Sequence, residues 1–286
     1  MKDTLRKTKK IMNQYEIKAN KRFGQNFLVD DAILERIIES ADITKKDLVI
    51  EIGPGLGNLT EYILDSAKYA LLIEIDKKMI EILNNRFLQK NNYMLLNEDI
   101  LKIDIDKYIF KLEEEKNIKF DNIKVVANLP YYITTPIIFK LLQDESRINE
   151  IVVMVQKEVA DRMVALPKTK DYGILTLMVE YLSDAKICFT VPKESFIPSP
   201  NVTSAIIKLK KNKKYTIENE KVLFDLIHSS FAKRRKKMIN SLQMSNFLEM
   251  DKNSLEKLFS SCNIDLNVRA EELNLSQYIK ISNKIL

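Results

Sequence analysis

Three of the five glycines in this 286-residue chain lie in one segment, Gly53-Pro54-Gly55-Leu56-Gly57. Average usage would place about twenty glycines in a chain of this length, so the few present mark positions with a geometric requirement. Glycine adopts backbone conformations that other residues avoid and lets a ligand approach the main chain. The apolar run 48–52 precedes the segment, and apolar residues at helical spacing follow it. This pattern predicts a strand, a glycine loop and a helix that hold a nucleotide-like cofactor.

The spacing of the glycine loop discriminates between two kinds of cofactor. A dinucleotide-binding loop has the pattern G-x-G-x-x-G, in which a pyrophosphate sits at the helix N-terminus. Here the third glycine comes one residue early, and Asn58 stands at the expected place. The shorter pattern, preceded by the acidic Glu51, favours S-adenosylmethionine, which carries no phosphate but has a cationic sulfonium and an ammonium group.

Two carboxylates follow the next two apolar runs of the chain. Glu74 comes directly after 69–73, and Asp99 lies just beyond 93–96. Ligands of open α/β sheets bind at the carboxyl ends of the strands. We therefore expect Glu74 to accept hydrogen bonds from ribose hydroxyls and Asp99 to accept one from an adenine amino group. Either carboxylate alone is equally consistent with an ordinary solvated strand end, but with the glycine loop in register the pattern favours a cofactor site.

A second motif, Asn128-Leu129-Pro130-Tyr131, follows the apolar strand pattern 123–127. An exocyclic adenine amine is a poor nucleophile because its lone pair is delocalised into the ring. The side-chain oxygen of Asn128 and the carbonyl of Leu129 would accept both amine hydrogens and favour a pyramidal nitrogen, with Pro130 stiffening the turn. Tyr131 would stack on the base. Attack on a sulfonium methyl then needs positioning and electrostatics rather than a histidine or a metal. The structural alternative is a simple turn with Tyr131 in the core.

Alternating strands and helices must position these motifs. Strand patterns occur at 48–52, 69–74, 93–96, 123–127, 151–155, 185–191 and 204–209, with helical patterns between the first five. Such alternation is typical of an α/β protein with a mostly parallel, Rossmann-like sheet covered on both faces. We also expect Asp30 or Asp31 to cap a helix that runs through Ser40.

The chain is predicted to contain two domains and an arm. Beyond a charged break at 210–216, the patterns at 218–244, 253–262 and 275–285 are helical only. We expect a basic N-terminal arm at 1–22, a cofactor-binding domain at 23–210 and a small all-helical domain at 211–286. A length of 286 residues suits two unequal domains.

Composition excludes several classes of protein. No apolar stretch approaches the roughly 18 residues that span a bilayer, and no signal-peptide pattern follows the basic N-terminus, so we expect a cytoplasmic protein without membrane contact. Cys188, Cys262 and the single histidine, His228, are too few for a disulfide framework or a zinc site. We therefore expect no metal, and a monomer is the simplest oligomeric state.

Positive charge is concentrated at the two ends of the chain. Residues 1–22 carry eight basic and two acidic residues, net +6, and residues 191–286 carry 17 and 10, net +7, whereas 23–190 carry 21 and 28, net −7. Basic clusters lie at 208–214 and 233–237. Taken singly, each is usually a solvated face, but together they indicate a polyanionic partner. The residues predicted to contact this polyanion are Lys21, Arg22, Lys233, Arg234, Arg235, Lys236 and Lys237.

The two motifs resemble those of the ribosomal RNA adenine dimethyltransferases, the bacterial KsgA and eukaryotic Dim family. The likeness extends over almost the whole chain and includes Gly24-Gln25-Asn26-Phe27-Leu28, the segment 196–204 (FIPSPNVTS), residues 231–242 and Arg269-Ala270-Glu271-Glu272. The glycine loop alone is generic, whereas Asn-Leu-Pro-Tyr combined with Gly-Gln-Asn-Phe-Leu is specific.

The resemblance implies both an activity and a set of site residues. Family members use S-adenosylmethionine to place two methyl groups on N6 of each of two adjacent adenosines in the terminal hairpin loop of small-subunit (16S) rRNA, the RNA of the 30S subunit. It implies cofactor contacts at Asn26, Leu28, Gly53, Gly55, Glu74, Asp99 and Asn128. It also implies that Asn128, Tyr131 and Phe196 handle the target base.

Two alternative functions stay open on the sequence. The erythromycin-resistance methylases, which dimethylate one adenosine of large-subunit (23S) rRNA, are related, but they usually have Ile where this chain has Leu129. The second alternative is a nucleic-acid-binding factor that keeps the fold without activity. The presence of Asn128, Tyr131, Glu74 and Asp99 speaks against that loss.

Overall fold

The computed structural model describes residues 3–17, 25–212, 214–233 and 235–285, which form two compact units. The first unit comprises residues up to 160 together with 186–211, and the second comprises 161–185 together with the chain from 212 onward. The chain enters the second unit for the last time after residue 211, close to the boundary predicted at residue 210. The segment 161–185, however, belongs to the second unit and not to the first. Tyr172 helps to hold this segment there by donating a hydrogen bond to the carbonyl of Leu273 (2.9 Å).

The strands of the chain form one large and one small sheet. In chain order they are β1 (Phe27–Leu28), β2 (Leu48–Ile52), β3 (Tyr69–Glu74), β4 (Tyr93–Asn97), β5 (Ile123–Asn128), β6 (Glu150–Gln156), β7 (Ser183–Val191), β8 (Phe196–Ile197) and β9 (Ser204–Lys211). The seven-stranded sheet has the order β4-β3-β2-β5-β6-β9-β7. Strands β4, β3, β2, β5 and β6 pair in parallel, and β9 is antiparallel to β6. The predicted α/β sheet is confirmed.

Helices cover the parallel strands of the first unit. They are α1 (Thr4–Gln14), α2 (Asp31–Ala41), α3 (Asn58–Ser66), α4 (Lys77–Arg86), α5 (Ile105–Lys116), α6 (Thr134–Gln143) and α7 (Lys157–Met163), the last of which runs into the second unit. Every residue of β2 and β3 is buried, as expected for strands covered on both faces. Asp30 caps α2 by accepting hydrogen bonds from the backbone of Ala32 and Ile33.

The N-terminal segment contains a docked helix where the sequence suggested an arm. Helix α1 belongs to the first unit, and its Thr4 and Thr8 are buried. Sequence analysis did not predict that this helix packs on the first unit, because its buried positions are polar threonines. Their hydrogen-bond partners come together only in the folded unit. The predicted RNA contacts Lys21 and Arg22 lie outside the described residues.

The second unit contains helices α8 (Ile174–Leu182), α9 (Glu220–Phe231), α10 (Met238–Met244), α11 (Lys252–Ser261) and α12 (Leu275–Ser282). The helical pattern predicted over 218–244 is interrupted between α9 and α10, which leaves Lys233, Arg235 and Lys236 outside both helices. The backbone N–H of Met238 donates to the carbonyl of Val268 (2.8 Å), outside its own helix. Within the described ranges, we find no helix that is both long and apolar enough to cross a bilayer.

Candidate active site

A cavity of about 250 Å³ opens at the carboxyl ends of β2, β3 and β5. Strand β2 lies between β3 and β5, so the order of the sheet reverses here, which is where open α/β sheets bind ligands. The cavity wall contains Asn26, Leu28, Gly53, Gly55, Glu74, Asp99, Asn128, Leu129, Pro130 and Tyr131. The fold therefore brings both sequence motifs to one cavity.

The glycine loop adopts backbone conformations that require its glycines. Gly53, Gly55 and Gly57 have φ values of 66°, 57° and 81°, in the left-handed region that favours glycine. A Cβ on Gly57 would lie 2.7 Å from a ring carbon of Phe87, whereas a Cβ on Gly53 would meet nothing within 4 Å. Gly57 therefore permits close packing on α4, and Gly53 borders open space.

Glu74 is held in place by backbone donors on both sides. Its Oε2 accepts a hydrogen bond from the N–H of Gly55 (3.0 Å), and its Oε1 accepts one from the N–H of Asp76 (2.9 Å). The side chain is only 6% exposed, and burial raises the pKa of its carboxyl while the two N–H donors oppose that rise. Each carboxylate oxygen has a further lone pair, so the carboxylate presents a rigid acceptor to the cavity.

Glu51 is more deeply buried than the sequence suggested. It accepts a 2.6 Å hydrogen bond from the hydroxyl of Thr60 and lies near Glu74. Burial raises the pKa of its carboxyl to about 8, so the group is mostly neutral at pH 7. The sequence prediction had treated Glu51 as a negative partner for a cationic cofactor. The structure corrects that view because removal of this side chain from water disfavours its charged form.

Asp99 lies at the edge of the cavity and is half-exposed. Its Oδ1 accepts a hydrogen bond from the N–H of Leu101 (3.0 Å), and its Oδ2 lies 3.7 Å from the Nζ of Lys102. The carboxylate is thus fixed by its own turn and retains acceptor capacity towards the cavity.

Asn128 is positioned by a contact from the opposite wall of the cavity. Its Nδ2 donates to the carbonyl of Asn26 (3.1 Å), and we find no hydrogen bond to its Oδ1 from the described residues. The backbone N–H of Leu129 donates a hydrogen bond to the carbonyl of Met154 (3.2 Å), and the carbonyl of Pro130 accepts one from the hydroxyl of Thr134 (3.1 Å). The turn is therefore held from outside, and the amide oxygen of Asn128 is left as an acceptor.

Tyr131 is oriented by a buried partner on another strand. Its hydroxyl shares a 2.6 Å hydrogen bond with the Oγ of Ser204, the first residue of β9, which is fully buried. Burial raises the pKa of the Tyr131 phenol. The ring lines the cavity and is half-buried, while the neighbouring Tyr132 is 58% exposed at the same wall.

The charges on the cavity wall suit a cation and not a phosphate. Three acidic residues, Glu74, Glu98 and Asp99, line it beside the mostly neutral Glu51, and none of the lining residues within the described ranges is lysine, arginine or histidine. A phosphate-bearing cofactor needs positive or N–H-rich surroundings. The donor set therefore fits a cationic adenosyl compound with hydroxyl and amine donors.

Phe196 is not among the described residues that line the cavity, and its expected role in handling a base stays a prediction. It is 3% exposed and belongs to the hydrophobic cluster that includes Leu28, Val49 and Val126. The antiparallel pairing of β8 with β1 sets Phe196 opposite Leu28, and within the described residues it is not part of the cavity wall. Its role in the structure is packing behind the segment 27–28.

The two C-terminal basic clusters differ in how their charges are used. Lys233, Arg235, Lys236 and Lys237 are exposed in the turn between α9 and α10, and Arg234 lies outside the described residues. In the other cluster, Lys208 pairs with Glu150 (2.9 Å), Lys211 donates to the carbonyls of Leu141 and Glu145 (3.0 and 2.7 Å), and Lys214 pairs with Asp184. Among the described residues of the two clusters, the group Lys233, Arg235, Lys236 and Lys237 presents more of its cations to solvent.

Two residues that support the site were not predicted as such. Asn58 lines the cavity and donates to the carbonyl of Leu28 (2.8 Å), and Ser204 orients Tyr131. Asn58 directly follows the glycine loop and begins α3, and Ser204 ends the segment 196–204 and begins β9. Both are polar residues at the first position of a largely apolar element. That boundary position is a signal that sequence analysis can use.

Comparisons with known proteins agree with this geometry. The model of the ribosomal RNA adenine dimethylase family matches residues 16–286. A relative from Clostridium botulinum (strain ATCC 19397 / Type A), named ribosomal RNA small subunit methyltransferase A, is 45% identical over 97% of this chain and 98% of its own. A solved dimethyladenosine transferase from Plasmodium falciparum has a TM-score of 0.71 at 28% identity, covering 88% of this chain and 94% of its own. The 23S rRNA methyltransferase ErmE, with a TM-score of 0.66 at 23% identity over 91% of this chain and 99% of its own, is similar in fold.

Proposed function

The chain belongs to the ribosomal RNA adenine dimethylase family, and from this premise we propose that it dimethylates N6 of two adjacent adenosines in the 3′-terminal hairpin loop of 16S rRNA. The small-subunit specificity rests on relatives that are named for the small subunit and align over nearly their full length. The substrate is then rRNA of the 30S subunit, and the enzyme acts in the cytoplasm during assembly of that subunit.

S-adenosylmethionine is the cofactor that the cavity fits best. When bound, it supplies a methyl group activated by a sulfonium centre. In this proposal Glu74 accepts hydrogen bonds from the ribose, and Asp99 accepts one from the adenine amine. Gly53 and Gly55 allow close approach to the loop, and Asn26, Leu28 and Asn128 complete the wall.

The proposal rests on the hydrogen bonding of the Asn128 side chain. Its amide nitrogen is committed to Asn26 O, and its amide oxygen remains as an acceptor beside a cavity lined by carboxylates. Together with the carbonyl of Leu129, that oxygen accepts the two hydrogens of an adenine N6 amine, and Tyr131 packs on the base. A preorganised pair of acceptors of this kind positions the amine for in-line attack without a separate base.

The activity is tested by methyl transfer to purified ribosomal subunits. Small and large subunits from a strain that lacks the N6-dimethyladenosines of both are incubated with labelled S-adenosylmethionine, and digested RNA is analysed by mass spectrometry. We expect label in N6,N6-dimethyladenosine of 16S rRNA only. Label confined to 23S rRNA would replace this proposal by the resistance-methylase activity, and no label in either would favour a binding factor.

We further propose that the exposed basic residues Lys233, Arg235, Lys236 and Lys237 bind rRNA phosphates. Counterion release makes the logarithm of the association constant fall with the logarithm of salt by roughly 0.7 to 0.9 per phosphate contact. The variant Lys233→Gln/Lys236→Gln should therefore bind RNA more weakly and reduce the salt slope by about 1 to 2. The control Lys252→Gln/Lys257→Gln removes the same charge from exposed positions of α11 and should keep the slope. If Lys233→Gln/Lys236→Gln also kept the wild-type salt slope, these two lysines would not contact RNA phosphates.

A further inference from the structure

Helix α1 lies against the back of the cavity wall and precedes the part of the chain matched by the family model. The helix covers Thr4–Gln14, and the family match begins at residue 16. Its inner face carries the buried Thr4 and Thr8, and its outer face carries exposed cations. The inner face makes hydrogen bonds with Asp31 of α2 and with Asn58 of α3, and Asn58 lines the cavity.

The start of α1 is fastened to α2 and α3 through Asp31. The hydroxyl of Thr4 donates to the carboxylate of Asp31, which also accepts a 2.6 Å hydrogen bond from the hydroxyl of Tyr62. These hydrogen bonds outweigh the effect of burial and lower the pKa of the Asp31 carboxyl. Lys7 adds an ion pair with Glu61 of α3 (2.8 Å).

The middle of α1 is joined directly to the cavity wall through Asn58. The Nδ2 of Asn58 donates one hydrogen to the Oγ1 of Thr8 and the other to the carbonyl of Leu28, both at 2.8 Å. Its Oδ1 accepts from the guanidinium of Arg86 (3.0 Å), which also donates to the carbonyl of Leu56. Asn58 is 6% exposed, so these partners replace water for its whole amide group.

The end of α1 leads into an apolar contact with the same wall. Ile17 is buried in a cluster with Phe27, Leu56, Met79 and Ile82. Phe27 and Leu56 themselves line the cavity. The N-terminal helix and the residues after it thus support the segment 27–28 from behind, by a hydrogen-bond relay and by packing.

We propose that α1 is a positioning element for the cofactor wall and that Thr8 is its key positioning residue. Thr8 acts through Asn58 on the carbonyl of Leu28 and thereby sets the position of the segment whose Asn26 carbonyl holds Asn128. Without the Thr8 hydroxyl, one hydrogen of a buried amide loses its acceptor, and Asn58 shifts to recover one. The expected effect is weaker cofactor binding with little change in RNA binding. The inference rests on the proposed function, since it concerns the cofactor of that reaction.

The test measures the affinity of the enzyme alone for S-adenosylhomocysteine by calorimetry. Thr8→Val removes the acceptor while keeping the shape, and we expect the Kd to rise about threefold to tenfold, in line with the loss of one buried hydrogen bond. Thr8→Ser restores the hydroxyl and should lie within about twofold of wild type. Gln14→Ala, an exposed change on the same helix, is the matched control and should be neutral. Deletion of residues 1–14 should raise the Kd by at least tenfold.

A helix that only stabilised the fold would give a different result. Its loss would lower the melting temperature of the free enzyme but leave the Kd for S-adenosylhomocysteine and the KM for S-adenosylmethionine unchanged. Positioning instead predicts that Thr8→Val raises the KM for S-adenosylmethionine while kcat and the KM for RNA stay near wild type. Wild-type affinity in both Thr8→Val and the deletion would overturn this inference alone. Failure of the wild-type enzyme to bind S-adenosylhomocysteine would overturn the proposed cofactor as well.

Discussion

The two sides of the cavity are built on different principles. The cofactor side, formed by the glycine loop with Glu74 and Asp99, is held by backbone hydrogen bonds, and Glu74 is almost fully buried. The amine side, Asn128 to Tyr131, is fixed from behind but keeps acceptors for a partner that arrives from solvent. The difference is consistent with the proposed function, in which one side binds a small cofactor and the other is completed by the substrate.

Burial explains why the two sides differ. The cost of burying a carboxyl is offset by hydrogen bonds or by protonation. Glu74 relies on two backbone N–H donors, whereas Glu51 has one hydroxyl donor and a pKa raised to about 8. The amine side has to admit a base from a large RNA, so it cannot be closed by protein partners alone. Changes on the cofactor side should therefore alter affinity and stability, and changes on the amine side should alter turnover.

The largest effect is expected for Asn128→Ala. The variant removes the acceptor for the N6 amine, and we expect methyl transfer to fall by about a thousandfold or more, comparable to the loss of a key catalytic hydrogen bond. The Kd for S-adenosylhomocysteine should rise no more than about threefold. Asn92→Ala, which removes a hydrogen bond to the carbonyl of Leu64 away from the cavity, is the control. Near-normal transfer by Asn128→Ala would exclude Asn128 from the reaction.

Glu74→Gln tests the cofactor side. The new amide NH2 cannot accept the N–H of Gly55 or Asp76, whichever it faces, and it accepts fewer bonds from a ribose. We expect the Kd for S-adenosylmethionine to rise about 10-fold to 100-fold, as for hydrogen bonds to a charged group, while kcat at saturation changes little. Glu98→Gln, at an exposed lining position, should have a smaller effect. A fall in kcat without a change in Kd would show that Glu74 contributes to turnover and not to cofactor binding.

Glu51 should make stability depend on pH in a particular direction. Its pKa is raised from 4.5 to about 8 in the folded protein, so the native state binds this proton more tightly than the unfolded chain. The free energy of unfolding therefore falls as pH rises from about 4.5 to about 8, by at most about 5 kcal/mol from this group. Glu51→Gln keeps an acceptor for Thr60 and should remove that slope in urea unfolding between pH 5 and 8.5. An identical pH dependence in both proteins would show that Glu51 titrates normally.

The smallest effect is expected for Tyr131→Phe. The variant loses the hydrogen bond to Ser204 but retains the aromatic ring, so stacking persists with a less defined orientation. We expect kcat/KM for RNA to fall about threefold to tenfold, in line with one hydrogen bond, with no change in cofactor affinity. Ser204→Ala should have a similar effect, and Tyr132→Phe should be neutral. A large effect on cofactor binding would show that Tyr131 belongs to the cofactor side of the cavity and not to the amine side.

Local sequence was sufficient for the strands of the seven-stranded sheet and for the glycine loop. Burial of whole strands such as β2 and β3 favours mostly apolar runs, and positive φ favours glycine at Gly53, Gly55 and Gly57, so both appear directly in the residues. The Asp30 cap is local for the same reason. By contrast, the assignment of 161–185 to the second unit and the break between α9 and α10 depend on partners far along the chain.

The site residues divide in the same way. Residue types at strand ends identified Glu74, Asp99 and Asn128 because the chemistry needs acceptors there, and the connectivity of parallel strands brings such ends together. The burial of Phe196 depended on the pairing of β8 with β1, and the neutral state of Glu51 depended on its exclusion from water. Docking of α1 through Thr8 and Asn58 joins positions that are 50 residues apart. The order of residues determines which groups are present and in what local conformation, whereas only long-range packing decides which groups meet, which lose water and which remain open to a substrate.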